Sequence, residues 1–348
     1  MQRDNEIRFE RSNFSLLRFL GMLIIFIHHY TLINGHTSVF SSPEVDDLLN
    51  VVFDRGFYVN FMFFTLSGYC LNRAYTYHTD RLYKVSFKDF IKRRFLSLYP
   101  GAAISIVITG GLLYLWLFSF NDYWLQSSFA FYQIPAALVG LQAYLTSVFG
   151  DSINNPTWFV FMLILCQISF WLLGRIRNID RKLVLILSTL ISYLLYHMVD
   201  HFDLERLLYS HFCFFLGCTV EYFSRTRKSR TIVGIIIAAI CVVFCTYPFY
   251  LMLFLPSLLI IAYEDIAHKL NTKNALPELT KLMKDISFPI LLMNFPAVLI
   301  INYIDRAYAI NINYSSVLII LATFIVNVIL ALPVLRVQRT VSGWLNRS

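Results

Sequence analysis

The chain has 348 residues, of which 57% are hydrophobic, 17% aromatic and 14% charged, with a formal net charge of +8. A soluble domain is typically ~45–50% apolar and ~25% charged, so this composition excludes an ordinary soluble protein and describes a polytopic membrane protein. The basic excess does not require nucleic acid as a partner, because cytoplasmic loops of membrane proteins collect Lys and Arg.

Residues 1–14 are polar and of mixed charge, a cytoplasmic lead. The first apolar run, about 15–34, is too long for a signal peptide core and has no small-x-small cleavage site after it, so it reads as an uncleaved first span. Residues 35–55 are polar, and a second span follows at about 56–73. In 74–98, six basic residues from Arg81 to Arg94 alternate with Phe87, Phe90, Ile91 and Phe95. That spacing suits an amphipathic helix on the cytoplasmic membrane surface. A third span is expected at about 99–119, beginning near Pro100. The piece 129–149 is broken by Gln133, Pro135, Gly140 and Gln142, which favours an outer-surface or partly embedded segment over a crossing. Further spans are expected at about 157–174, 183–199, 207–223, 231–247 and 249–264, then a charged inner loop at 265–285, then spans at 286–303 and 315–335. This is an all-α fold of about ten transmembrane helices in a single integral-membrane domain over 1–348, with no attached soluble domain expected.

The basic residues test the count. With the N-terminus inside, 26 of the 29 Lys and Arg fall in inner segments and only Arg55, Arg206 and Arg306 fall outside. The positive-inside rule predicts such a bias. Both termini are therefore expected in the cytoplasm. The six cysteines (Cys70, Cys166, Cys213, Cys218, Cys241 and Cys245) form no CxxC and lie in or at apolar runs, which reads as small buried hydrophobes rather than a disulfide or zinc framework.

An ionisable residue inside a membrane span is costly and marks a functional candidate. The first span holds two, Arg18 and His29, eleven residues apart. At ~100° and 1.5 Å per residue, eleven steps return to within ~20° of the same face, about 16 Å along the axis. His28 lies roughly 80° off that line. Imidazole ionises near pH ~6.5, so a neutral imidazole can serve as a base at neutral pH. Arg18 has a plainer reading as an interfacial cation snorkelling to headgroups. Metal spacing such as HExxH and a phosphate-cradling Gly loop are absent from the sequence, so no metal site is expected.

Three motifs follow in order: Arg18-x10-His29, FFTLSGY at 63–69 and FIKRRFLSLYP at 90–100, with weaker landmarks at NPTWF (155–159), FFLGC (214–218) and ISFPILLMNFP (286–296). On these the chain resembles the acyltransferase-3 family of membrane acyltransferases. The chain departs from the common family pattern at Ser97, where Arg is frequent, at the apolar WFVFMLIL run, where a Glu is frequent, and at Asn294, where a His is frequent.

The resemblance implies an O-acetyltransferase of a bacterial inner membrane. It would move an acetyl group from cytoplasmic acetyl-CoA to a hydroxyl of a surface glycan, such as lipopolysaccharide O-antigen, or of its lipid-linked precursor. Acetyl-CoA is then a substrate, with no permanently bound cofactor; the partners are the glycan or glycolipid acceptor and membrane lipids. His29 would act as general base or transient acyl carrier and Arg18 as its catalytic companion. Arg94 and Arg93 would meet the donor's phosphates, and Ser67, Gly68 and Trp158 could line the site. Ser67-Gly68 has the alternative reading of a close helix contact, and Trp158 that of an outer aromatic-belt anchor. His211 has no motif partner and reads as a packed polar residue. The rival class is a glycolipid transporter or flippase; such proteins commonly carry two-fold repeats and broken helices, and the sequence shows no internal repeat.

Overall fold

A computed structural model describes residues 14–35, 46, 55–76, 81–124, 130–145, 148, 153–271 and 277–345. Among the described residues there is no strand. The helices are α1 (Ser15–Asn34), α2 (Val59–Thr76, entered by a 3-10 turn Gly56–Tyr58), α3 (Arg81–Lys84), α4 (Phe87–Phe120), α5 (Gln133–Leu138), α6 (Leu141–Tyr144), α7 (Thr157–Leu173), α8 (Arg181–Met198), α9 (Phe202–Phe223), α10 (Arg227–Val243), α11 (Pro248–Asn271), α12 (Pro277–Tyr308) and α13 (Val317–Leu345). Ten of these have 17 residues or more. Four meet the length and apolarity needed to cross a membrane: Ser15–Asn34, Phe87–Phe120, Thr280–Tyr308 and Val317–Val341. With these helices the chain is an integral membrane protein.

Several expected boundaries change. The surface helix at 74–98 and the span at 99–119 are not separate elements: α2 runs on to Thr76, and α4 is one helix of 34 residues with Pro100 in its interior. Its start is set by Ser86, whose Oγ accepts from the backbone N–H of Asp89 (3.1 Å) and donates to the Asp89 carboxylate (2.7 Å). A proline inside a helix removes one backbone donor and can kink the helix without ending it, and α4 continues past it. Likewise the inner loop at 265–285 is largely helical, with α11 reaching Asn271 and α12 starting at Pro277. In 129–149 only two short helices form among the described residues, separated by Gly140 at φ +81°. A Cβ there would sit 2.5 Å from the Phe161 ring, so glycine is required by both its conformation and its space.

The chain divides into two compact units. The first comprises the residues up to Arg18, Tyr58–Arg94 and Met162–Lys284. Its centre is the crossing of α2 with α9. A Cβ at Gly68 would lie 1.9 Å from the Phe214 carbonyl oxygen, and one at Gly217 would lie 2.0 Å from that of Thr65. Two glycines, one on each helix, let the backbones touch. In lipid, where helix association gains little from the hydrophobic effect, such contact is what holds helices together.

The second unit comprises Phe19–Phe57, Phe95–Phe161 and Asp285–Ser348. Its core gathers Tyr30, Trp116, Trp124, Phe295, Val298 and Leu299. On α13 the inward face carries Thr323, Asn327, Ala331 and Val334, all buried, while Leu318, Leu321, Ile325 and Ile329 are exposed on the other side. Apolar residues outward and small or polar residues inward is the pattern of a helix whose solvent is lipid.

Candidate active site

α1 carries both Arg18 and His29 without interruption. Arg18 falls in the first unit and His29 in the second.

In the second unit His29 is buried, 7% exposed, and its Nδ1 has no hydrogen-bond partner among the described residues. Its ring meets Phe295 edge-on at 5.4 Å, and Trp124 packs edge-on against the same phenyl at 5.7 Å. His28 is differently held. A Cβ at Gly56 would lie 2.3 Å from the Cβ of His28, so the chain passes directly over that residue. The next residue, Phe57, stacks on Trp158 at 6.3 Å. Trp158 is thus a buried residue of the second unit, 5% exposed, and not an interfacial anchor: its indole finds an aromatic partner inside the protein.

The α12 segment around Phe295 is tied in by polar contacts. Pro296 has no N–H to give the Leu292 carbonyl, and Asn154 Nδ2 donates to that oxygen at 2.8 Å. Asn294 pairs its carboxamide with that of Asn327 at 2.6 Å. In that bond Asn327 Nδ2 donates to Asn294 Oδ1, and Asn294 Nδ2 is buried without a partner among the described residues.

In the first unit Arg18 Nη2 donates to Cys70 Sγ at 3.5 Å, a weak acceptor, and this is its one hydrogen bond among the described residues. Ser67 is half-buried on α2. Gly68 lies in the α2–α9 crossing, where its carbonyl accepts from Cys218 Sγ at 3.3 Å. Arg93 is exposed. Arg94 turns inward, donating to the Tyr75 hydroxyl at 3.2 Å with its guanidinium over the Tyr75 ring. His211 meets Cys166 at 3.6 Å, as a packed polar residue would.

The sequence reading missed a set of ion pairs in this unit. Tyr69 and Arg73 both donate to the Glu264 carboxylate, and Arg230 lies 3.5 Å from it. Glu221, 2% exposed, accepts from Asn72 at 2.6 Å and from Arg225 at 3.0 Å. The signal was present: both acids lie in or at the end of expected spans, and an ionisable residue there needs a partner. Arg225 is four residues from Glu221, a spacing visible in the sequence, but Tyr69, Asn72, Arg73 and Arg230 come from other helices, which no local pattern reveals.

Buried polar side chains on lipid-embedded helices, with an imidazole nitrogen unpartnered among the described residues, describe a helical membrane protein with a polar interior. The model of the acyltransferase-3 family, described as an acyltransferase domain, matches residues 11–336. The chain belongs to this family and is a membrane acyltransferase. Neither a curated protein nor a solved structure matches the chain.

Proposed function

We propose that the protein is an O-acetyltransferase that takes acetyl groups from cytoplasmic acetyl-CoA and places them on a hydroxyl of a surface glycan or its lipid-linked precursor. The observation that carries the reading is His29, buried in α1 with an unpartnered Nδ1. A buried polar atom normally has a partner, so an open one is available to a reacting hydroxyl.

In this reading the His29 imidazole takes the proton of the acceptor hydroxyl as its oxygen attacks the thioester carbonyl carbon. The C–S bond breaks, the acetyl group stays on the oxygen, and the imidazolium returns its proton to the coenzyme A thiolate. Arg18 is assigned to the donor, its guanidinium bonded among the described residues to a thiol, a weak acceptor. Arg94 is assigned to the donor's phosphorylated end. The positive-inside bias supports ten crossings with both termini in the cytoplasm of an inner membrane, the side where acetyl-CoA is made.

Coenzyme A release from acetyl-CoA by the purified protein in lipid, with a glycan extract as acceptor, tests this. Replacing a general base costs roughly 10²–10⁴-fold in rate, so His29→Ala is expected to lose release by at least 100-fold. His28→Ala is expected to stay within a few-fold of wild type. Equal release by His29→Ala and wild type would reject the assigned base. A flippase would release no coenzyme A at all.

A further inference from the structure

The first unit contains a cleft of about 210 Å³ that includes Tyr75, Thr76, Tyr83, Tyr222, Arg181 and Arg225 in its lining. The volume is below the ~300–1,000 Å³ of pockets that engulf a drug-sized ligand, so it suits one end of a longer molecule. Its walls combine three phenol rings with two guanidinium groups.

The charges are unequal in their commitments. Arg225 binds Glu221 and donates to Thr76 Oγ1 at 2.7 Å, and it lies over the Tyr222 ring. Arg181 donates to neutral acceptors, Asn72 Oδ1 at 3.0 Å and the Gly174 carbonyl at 3.4 Å, and feels the Glu221 carboxylate through space without a direct bond among the described residues. Its Nε is buried and has no partner among the described residues. Two further arginines border Tyr83. Arg177 lies 5.8 Å from its ring centroid, and Arg175 donates to the carbonyls of Tyr83 and Val85. No carboxylate among the described residues forms an ion pair with Arg175, Arg177 or Arg181. The cleft is therefore aromatic and cationic, with Glu221 the carboxylate that Arg225 binds and Arg181 feels.

We propose that this cleft binds the nucleotide end of the acyl donor, with Arg181 and Arg225 on phosphate oxygens and the tyrosines against the ribose and base. Guanidinium groups match phosphate geometry, and aromatic side chains stack on any base. An anionic lipid headgroup shares the phosphate chemistry but has no ring to use three tyrosines. The inference rests on the acetyl-CoA reading above. It also gives Arg94 a defined part: bonded to Tyr75, which lines the cleft, Arg94 is a positioning residue.

The test is equilibrium binding of adenosine 3′,5′-bisphosphate to the protein in nanodiscs of neutral phosphatidylcholine, alongside coenzyme A release. Wild type is expected to bind. Arg181→Gln is expected to weaken binding at least tenfold and to raise KM for acetyl-CoA, with kcat within two-fold of wild type. Arg227→Gln, an exposed change at the start of α10, is expected to leave both unaltered. Where Arg181→Gln does not fold, judged by its elution and melting, Tyr83→Leu takes its place. Equal binding by variant and wild type overturns the cleft. So does absence of binding by a wild type that still releases coenzyme A, and so does inorganic phosphate or added phosphatidylglycerol competing as well as the free bisphosphate. Binding that depends on Arg181, in a protein that transfers no acetyl group to any acceptor, supports the cleft and rejects the acetyl-transfer reading.

Discussion

Neighbouring histidines on α1 differ by what covers them. His28 is pressed under Gly56, while His29 faces Phe295 with an open nitrogen. The eleven-residue spacing from Arg18 singled out His29 from sequence because helix geometry is local. The bond between Asn154 and Leu292 was not legible, since its two ends are 138 residues apart. It makes a residue-scale prediction. Asn154→Ala strips the Leu292 carbonyl of its donor, at a cost of about 1–3 kcal/mol for a buried unsatisfied group. Pro296→Ala returns an N–H to that carbonyl within the helix. The double variant is therefore expected to melt above Asn154→Ala in a detergent thermal-shift series. Strictly additive losses would mean that the proline does not govern that bond.

At the scale of elements, the bounds of α1 agree with its apolar run, because no proline interrupts it and Gly35, at φ +86°, ends it. In α4 the proline signal misleads: Pro100 suits a helix start, yet one missing N–H does not stop a helix that is already under way. Gly68 illustrates a signal with two meanings. Small residues allow either a ligand or a helix to approach, and here the helix is α9. Gly68→Ala must move the Phe214 carbonyl, a backbone atom that cannot swing aside. Overpacking of this kind costs roughly 1–3 kcal/mol or more. The expected outcome is a lower melting temperature with reduced recovery of folded protein. Ser67→Ala, one residue away and half-buried, is expected to melt like wild type. A Gly68→Ala protein of unchanged stability would show that the crossing is looser than the contact implies.

For the whole molecule, the sequence reading's strongest statement is topological. It follows from counting charges, which needs no knowledge of packing. Labelling with a membrane-impermeant maleimide checks it, starting from Cys245→Ser, since Cys245 is the one exposed cysteine of the six. Tyr308→Cys, 75% exposed, is expected to react in intact cells. Lys228→Cys, exposed in the first turn of α10, is expected to react only after the membrane is opened. Reaction of both in intact cells would reject the inside-positive arrangement on which the direction of acetyl transfer depends.

The ion pairs of the first unit bear on how the protein is made. Arg73 is synthesised 191 residues before Glu264. At about 5–20 residues per second, Arg73 waits roughly ten to forty seconds for its carboxylate. During that interval α2 has a cation at one end and no internal counter-ion. It must stay at the headgroup level or in the shelter of the insertion machinery until α11 arrives. The first unit is therefore completed late in translation, and a ribosome stalled before Glu264 would leave Arg73 without this carboxylate.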